Sequence, residues 1–360
     1  MDFSLMFFSN HEKGLIDMSY QIMINATKYA DLNQFKAVWT PERHFTQFGG
    51  LYPNAAITSA ALATMTHSVE LRGGSVISPL HDVIRLVEEW SVVDNLSKGR
   101  IGLSFGSGWN KNDFVLNPSK YNDRYQHMYS QIEQFKKLWS GESIERERHD
   151  KEKIKVKIFP SPRSPSVPLW LSISSNENAF IYAGKNNFNI LTHLVSQDVK
   201  QLSKKISLYR EARESSGLNP DEGKISLMLH TYINDVDNER ENIITAPFKS
   251  YLREIIKMGG VQSKKKSDKY DAVTDDEFII EELVEISFKR YLKNDSLIGS
   301  RELCKDRVMK LECLGVNEVV SLIDFGINYD AVMNSLPLLT SIKDEFVLST
   351  PAQLKSLDEL

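Results

Sequence analysis

With 360 residues, 41% of them hydrophobic and 26% charged, the chain has ordinary globular composition and enough apolar material for one large barrel or two smaller domains. A formal net charge of −4 is too mild for a nucleic-acid or membrane-surface binder. The cysteines, Cys304 and Cys313, match no metal or redox spacing and rule out a disulfide framework, which points to buried or half-buried thiols in a reducing compartment.

The N-terminal apolar run is too short for a signal peptide and lacks a basic segment before it. No apolar stretch approaches the ~18 residues of a membrane span, so a cytoplasmic protein is expected. Down the chain, short β-branched or aromatic runs alternate with longer segments of helical period, the rhythm of βα units and a parallel sheet. The first strand is predicted at 3–9, followed by a helix with Ile22, Ala26, Tyr29 and Ala30 on one face. Strand two covers 37–42, and Asn54 then caps a helix carrying Ile57, Leu62 and Met65 inward. Strand three, 70–78, runs up to Pro79; the next helix places Val83, Leu86, Trp90 and Val93 at three-to-four spacing and closes at Gly99. Strand four, 101–105, precedes a helix whose stripe is Tyr125, Met128, Ile132, Phe135 and Trp139. A charged surface excursion at 141–157 and a Pro- and Ser-rich connection at 160–168 lead to strand five, 169–174. Strand six is 189–194, and its helix presents Val199, Leu202, Ile206 and Tyr209 before Gly217. Strand seven is 225–233 and strand eight 319–325, with a last helix near 329–339.

Eight such pairs predict a (β/α)8 TIM barrel, an α/β fold that needs ~250 residues before insertions. The surplus falls mostly after strand seven, ahead of its own helix at about 302–314. Residues 234–300 there join the run Lys264, Lys265, Lys266 to an apolar helix through Phe278, Leu283 and Phe288; a rim insertion is expected, part lid and part solvated loop. One barrel domain over 1–345 and a tail at 346–360 follow from this reading. A doubly wound nucleotide-binding sheet is the rival, but no G-x-G-x-x-G follows the first strand.

In such barrels the active site gathers at the C-terminal ends of the strands. Three histidines fall there, His11, His44 and His230, and their convergence makes them candidates for catalysis. A three-histidine metal site is the competing reading; the H-x-H pair that usually opens it is absent and strand-end acids are few, so no metal is expected. Gly106, Ser107 and Gly108 let a ligand approach the backbone closely, and Trp109 offers a flat apolar wall. Ser174, Ser175 and Asn176 open a helix, where free N–H groups favour an anion, although plain N-capping explains them equally.

The stretch Trp39-Thr40-Pro41-Glu42-Arg43-His44-Phe45 resembles the second-strand motif of the bacterial-luciferase-like flavin monooxygenases. Residues 85–90 and 94–100 are similar to that family's third helix and fourth-strand entry, and Gly106-Ser107-Gly108-Trp109 completes the likeness, which runs to about Gly326. Residues 112–116, 191–194 and 227–231 are similar to the subgroup found with polyketide and nonribosomal peptide assembly lines. The resemblance implies reduced FMN (FMNH2) and O2 as cofactors, an acyl or aminoacyl substrate held on a carrier protein, a separate flavin reductase and a homodimer. It implies an active-site role for His44, with Glu42 beside it at the flavin, and more cautiously roles for His11 and His230. Gly74-Ser75 matches a bend where the family often has a cis peptide under the flavin ring, and Ser75 is assigned to the cofactor. Ser107, Tyr125, Ser174 and Ser175 match positions that hold the phosphate, with Asn176 and Trp109 completing the pocket. Ser175 departs from the subgroup's usual glycine and Asn110 from its frequent histidine, which puts the phosphate turn and the proton handling in doubt. A deazaflavin (F420) oxidoreductase and a non-catalytic flavin-holding barrel are the alternatives.

Overall fold

The computed structural model describes residues 1–8, 16–195, 197–258 and 277–348. The elements follow in chain order: β1 (Asp2–Met6), α1 (Ile16–Leu32), β2 (Ala37–Thr40), α2 (Ala55–Ala63), β3 (Glu70–Ile77), α3 (Val83–Ser97), β4 (Ile101–Gly106) and α4 (Arg124–Trp139). Then come β5 (Ile144–Glu147), β6 (Lys153–Val156), β7 (Leu169–Ser172), α5 (Glu177–Lys185), β8 (Asn189–His193), α6 (Val199–Ser215) and β9 (Ile225–Ile233). The chain continues through α7 (Asp237–Lys257), α8 (Glu277–Arg290), β10 (Leu297–Gly299), α9 (Arg301–Cys313), β11 (Glu318–Leu322) and α10 (Tyr329–Leu348).

Strands β9, β11, β1, β2, β3, β4, β7 and β8 pair in that order, all parallel, and β8 pairs back with β9 to close the ring. This is the expected eight-stranded barrel with helices outside. The strands read as near-continuous apolar runs because parallel strands are buried on both faces. Paired residues in a parallel ladder share a face, so Met6, Leu322 and His230 form one row; Met228 and His193, paired one step lower on β9, lie on that same inner side.

The floor of the barrel is polar. Arg72 is buried and donates to both oxygens of Glu318, at 3.0 and 2.8 Å, and to Glu70. Ser4, Trp39 and Ser226 also donate to the Glu318 carboxylate, and Trp170 donates to Ser226 at 3.0 Å. The Arg72 guanidinium lies over the rings of Trp39 and Trp170. Desolvation would discharge such an ion; here it is outweighed by the two carboxylates, and the Arg72 pKa is raised. This network fills the narrow end, so the open, ligand-binding end is the other one.

Between β9 and α9, over the described residues, α7 and α8 pack together, a π-helical turn follows at Tyr291–Asp295, and β10 adds to β9 outside the ring. The lysine run at 264–266 lies outside the described residues, as do residues 349–360 of the expected tail. Several details differ from the sequence reading. The excursion at 141–157 contains an antiparallel hairpin, β5 with β6. Helix α10 runs on to Leu348, so the expected boundary at 345/346 cuts a helix. In α2 the buried face is Ala55, Ala56, Ser59, Leu62 and Ala63, while Ile57 points outward. In α8 the buried positions are Ile280, Val284 and Ser287, and Phe278 is exposed. An uninterrupted apolar segment fits several helical phases, and the neighbour decides which one faces in. Cys304 is buried, whereas Cys313 is exposed.

Candidate active site at the barrel mouth

The chain leaves β2 through Pro41 and delivers Glu42, Arg43 and His44 to the mouth in succession. Glu42 is buried and its carboxylate is fully engaged. Oε1 accepts from His44 Nε2 at 2.9 Å and from His81 Nε2 at 2.7 Å, and Oε2 accepts from the Ile77 amide at 2.7 Å. Burial pushes this carboxyl up, but the hydrogen bonds from His44, His81 and Ile77, with the charge of His81, bring it below the ordinary value. The converse holds for His81: burial lowers it, and the Glu42 carboxylate raises it overall. Glu42 therefore acts here as a clamp between two histidines and the end of β3. With Nε2 of His44 donating to Glu42, Nδ1 is the ring nitrogen left to accept a proton.

The same hydrogen bond from Ile77 fastens the end of β3, where the Gly74–Ser75 peptide is cis and the ladder to β4 is irregular. A Cβ on Gly74 would meet Trp39 Cε3 at 2.5 Å, and one on Gly106 would meet Ser75 Oγ at 3.0 Å. Both positions suit glycine because neighbouring side chains, Trp39 and Met6 against Gly74 and Ser75 against Gly106, already fill the space a Cβ would take. Beyond it Gly108 has φ +77°, a left-handed conformation suited to glycine, and its carbonyl accepts from Arg124 Nε at 3.1 Å. Trp109 follows, 54% exposed, with the Arg43 guanidinium 4.7 Å from its ring centre.

Across the mouth Ser174 and Ser175 precede α5, and Asn176 is its N-cap, its side chain accepting from the Asn178 amide at 3.0 Å. Ser175 and Asn176 are exposed there, so the capping reading and an open helix N-terminus hold together. Tyr125 does not join the buried stripe of α4, which consists of Met128, Ile132, Phe135 and Trp139; it is exposed at the start of the helix, under Arg124.

His230 is placed otherwise than expected. It is 1% exposed and boxed by the rings of Phe248 and Tyr251 from α7, Tyr291 and Phe325, with centroids 4.8–5.7 Å away. Its Nε2 has no hydrogen-bond partner among the described residues. Burial, and then the neighbouring His193, bring its pKa down to about 3, so the ring is neutral at pH 7 and packs under the lid. The strand-end position expected to open onto the mouth is thus covered by α7 and an aromatic box. His193 is similarly lowered by burial, to about 4. His11 lies outside the described residues.

Arg43 and Asp113, which the sequence reading quoted without a role, and His81, which it did not name, also stand at this part of the mouth. His81 follows the Pro79 turn just beyond the end of β3, and that strand-end position is the sequence signal for it. Asp113 is buried, with Oδ1 accepting from Asn110 Nδ2 at 2.7 Å. Burial raises its pKa against the opposing charges of Arg43 and His44. The mouth is roofed by α7, whose Tyr251 packs on Phe8 and Phe48. Asp324, at the end of β11, accepts from the Phe8 amide at 2.7 Å and from the Tyr52 hydroxyl at 3.3 Å, tying the loop after β2 to the barrel. A shallow depression lined by Arg85, Glu88, Glu89, Val92 and Phe159 lies on the outer wall, away from the strand ends. Among the described residues no group of three His, Cys, Asp or Glu side chains could hold a metal ion, and no helix is long and apolar enough to cross a membrane.

The family model for luciferase-like monooxygenases matches residues 1–318. The oxygenase component of a flavin-dependent trigonelline monooxygenase from Acinetobacter baylyi is 24% identical over 331 residues, covering 88% of this chain and 87% of the relative. Among solved structures, the monooxygenase RslO1 from Streptomyces bottropensis superposes with a TM-score of 0.76 at 17% identity, covering 95% of this chain and 98% of that one. The oxygenating constituent of 3,6-diketocamphane monooxygenase from Pseudomonas putida, in complex with FMN, superposes with a TM-score of 0.73 at 18% identity, over 94% of this chain and 96% of that one. An F420-dependent secondary alcohol dehydrogenase has the same fold at 13% identity, with a TM-score of 0.69 over 94% and 98% of the two chains. With the family model spanning most of its length, the chain belongs to the luciferase-like monooxygenases and is an oxidoreductase of that family.

Proposed function

We propose that the protein is the oxygenase of a two-component system, using FMNH2 from a separate reductase together with O2. Its substrate in this reading is an acyl or aminoacyl group on a carrier protein in natural-product assembly, which it hydroxylates or into which it inserts oxygen. The working form is a cytoplasmic homodimer. The observation that carries the reading is the Glu42 carboxylate that clamps His44 and His81 to the end of β3 at the barrel mouth.

The residues present fit a flavin. Ser75 and Trp109 border the mouth, and the exposed Trp109 indole offers a planar ring a flat apolar face. The exposed start of α5, with Ser174, Ser175 and Asn176, together with Ser107 at the end of the neighbouring strand β4, presents hydroxyl and N–H donors suited to a phosphate. Bound reduced flavin supplies the electrons that activate oxygen. The chain's own contribution is orientation and dryness. Glu42 fixes the His44 ring and its tautomer, so Nδ1 can take or return a proton where charge develops. Helix α7, with Tyr251 and Phe248, excludes water from the mouth.

The test is an anaerobic absorbance titration of the protein with FMNH2, followed by mixing with O2 in the presence of acyl-loaded carrier protein. Tight binding of the reduced flavin and oxygen uptake coupled to product supports the reading. Binding of F420 with no affinity for FMNH2 would transfer the chain to hydride-transfer chemistry. Flavin binding without oxygen uptake would make it a non-catalytic flavin-binding barrel.

A further inference from the structure

The cation at the centre of the mouth has almost nothing to bind. Arg43 is 3% exposed, yet among the described residues its side chain has one hydrogen-bond partner, the thioether sulfur of Met258 at 3.2 Å. A thioether is a weak acceptor, and a guanidinium carries five N–H donors. Its Nε, buried, has no partner. The nearest carboxylate oxygen, Asp113 Oδ2, stands 4.0 Å from Nη1, outside hydrogen-bond range, and is itself an unpartnered buried atom. Burial accordingly lowers the Arg43 pKa, with Asp113 only partly compensating.

A buried guanidinium left in this state is costly unless something arrives to pair with it. The Arg43 backbone is not free to withdraw: its N–H donates to the Tyr52 carbonyl at 2.9 Å, and its Cγ packs against Gly49. The ring of Trp109 supports one face of the guanidinium, which leaves the in-plane N–H groups for a ligand. A planar two-oxygen anion matches that fork. Arg43 sits beside His44, on the opposite side of the mouth from the serines at the start of α5, where we place the phosphate.

We propose that Arg43 recognises a carboxylate on the substrate, whether a free organic acid or the side chain of a tethered acyl group, with Asp113 holding the guanidinium in place until that acid arrives. This deepens the flavin monooxygenase reading and rests on it. The competing source of the same chemistry is the phosphate of the cofactor, and the experiment separates the two.

Calorimetric titrations would compare benzoate with benzamide, nicotinate with nicotinamide and hexanoate with hexanamide, on the FMN-loaded protein and on Arg43→Met, Arg43→Lys and Asp113→Asn. At least one acid should bind wild type tenfold or more tighter than its amide. Arg43→Met should bring that pair within twofold, Arg43→Lys should keep part of the preference, and Asp113→Asn should tighten the acid by removing a competing carboxylate. FMN affinity should change less than threefold throughout. The proposal fails if no acid outbinds its amide, or if Arg43→Met keeps the preference. It also fails if Arg43→Met weakens FMN tenfold, which would assign the anion to the cofactor. If wild type does not bind FMN, the flavin reading is what fails, and the acid–amide comparison on the unloaded protein still decides the role of Arg43.

Discussion

Replacing Glu42 tests the architecture of the mouth most directly. Its carboxylate takes three donors, at 2.9, 2.7 and 2.7 Å, from side chains and backbone of two different segments. A hydrogen bond to a charged group contributes about 1.5–3 kcal/mol, and leaving a buried donor unpaired costs about 1–3 kcal/mol. The three terms are not additive, because both histidines retain access to water: His44 is 12% exposed and His81 21%. The Ile77 amide has no such escape, so Glu42→Ala should lose about 3–5 kcal/mol of stability, read from urea unfolding. Glu42→Gln keeps the volume but turns an N–H group toward one of the three donors, and about 2 kcal/mol is expected. In that variant His44 loses its fixed tautomer, so product formation should fall roughly 10²–10³-fold while FMN affinity changes little. Oxygen uptake would continue without product. A Glu42→Gln protein with the wild-type unfolding midpoint and the same ratio of product to oxygen would refute the clamp.

At the barrel floor, Arg72→Met leaves the Glu318 carboxylate buried without its cation and should cost about 3–5 kcal/mol, measured by the urea midpoint. Gly74→Ala puts a methyl group 2.5 Å from Trp39 Cε3 and should cost about 1–3 kcal/mol through overpacking, read from the urea midpoint. Acid sensitivity should come from the buried histidines. His230 and His193 have folded pKa values of about 3 and 4 against an ordinary 6.5, so their stability is present above pH 6.5 and lost as the pH falls below it. Each contributes a slope of about 1.4 kcal/mol per pH unit in that window, and His230→Phe should remove about half of the combined slope in melts between pH 6.5 and 4.5. The Glu42–His81 pair acts in opposite directions. Glu42, depressed, stabilises above the ordinary glutamate range and loses this as the pH falls; His81, raised, stabilises below pH 6.5 and loses this as the pH rises through its folded value. His81→Gln should flatten stability as the pH rises through the folded His81 value and also reduce the acid-side loss from Glu42, since the His81 charge helps depress that carboxyl.

The alternation of strand-like runs with helical periods was enough to determine eight βα units and their closure, because a buried parallel strand needs an apolar run and its covering helix a stripe. The strand-end positions of Glu42 and His44, the run Gly106-Ser107-Gly108, and the helix start at Asn176 were legible for the same reason: the fold sends those chain positions to the mouth. What each side chain does there was decided only by the tertiary structure. Glu42 became a clamp because His81 and the Ile77 amide, 39 and 35 residues away in sequence, arrive at its two oxygens. His230 shares a strand-end position with better candidates, yet Phe248 and Tyr251 of α7 join Tyr291 and Phe325 around it, and burial lowers its pKa. The phase of Ile57 was likewise settled by neighbours, since α2 is apolar enough to turn more than one face inward, while Phe278 and Tyr125 stand in the first turns of their helices, ahead of the buried stripe. Chain pattern tells where a residue stands along its own element; desolvation, pairing and proton affinity depend on atoms brought in from elsewhere in the chain, and only the folded barrel brings them.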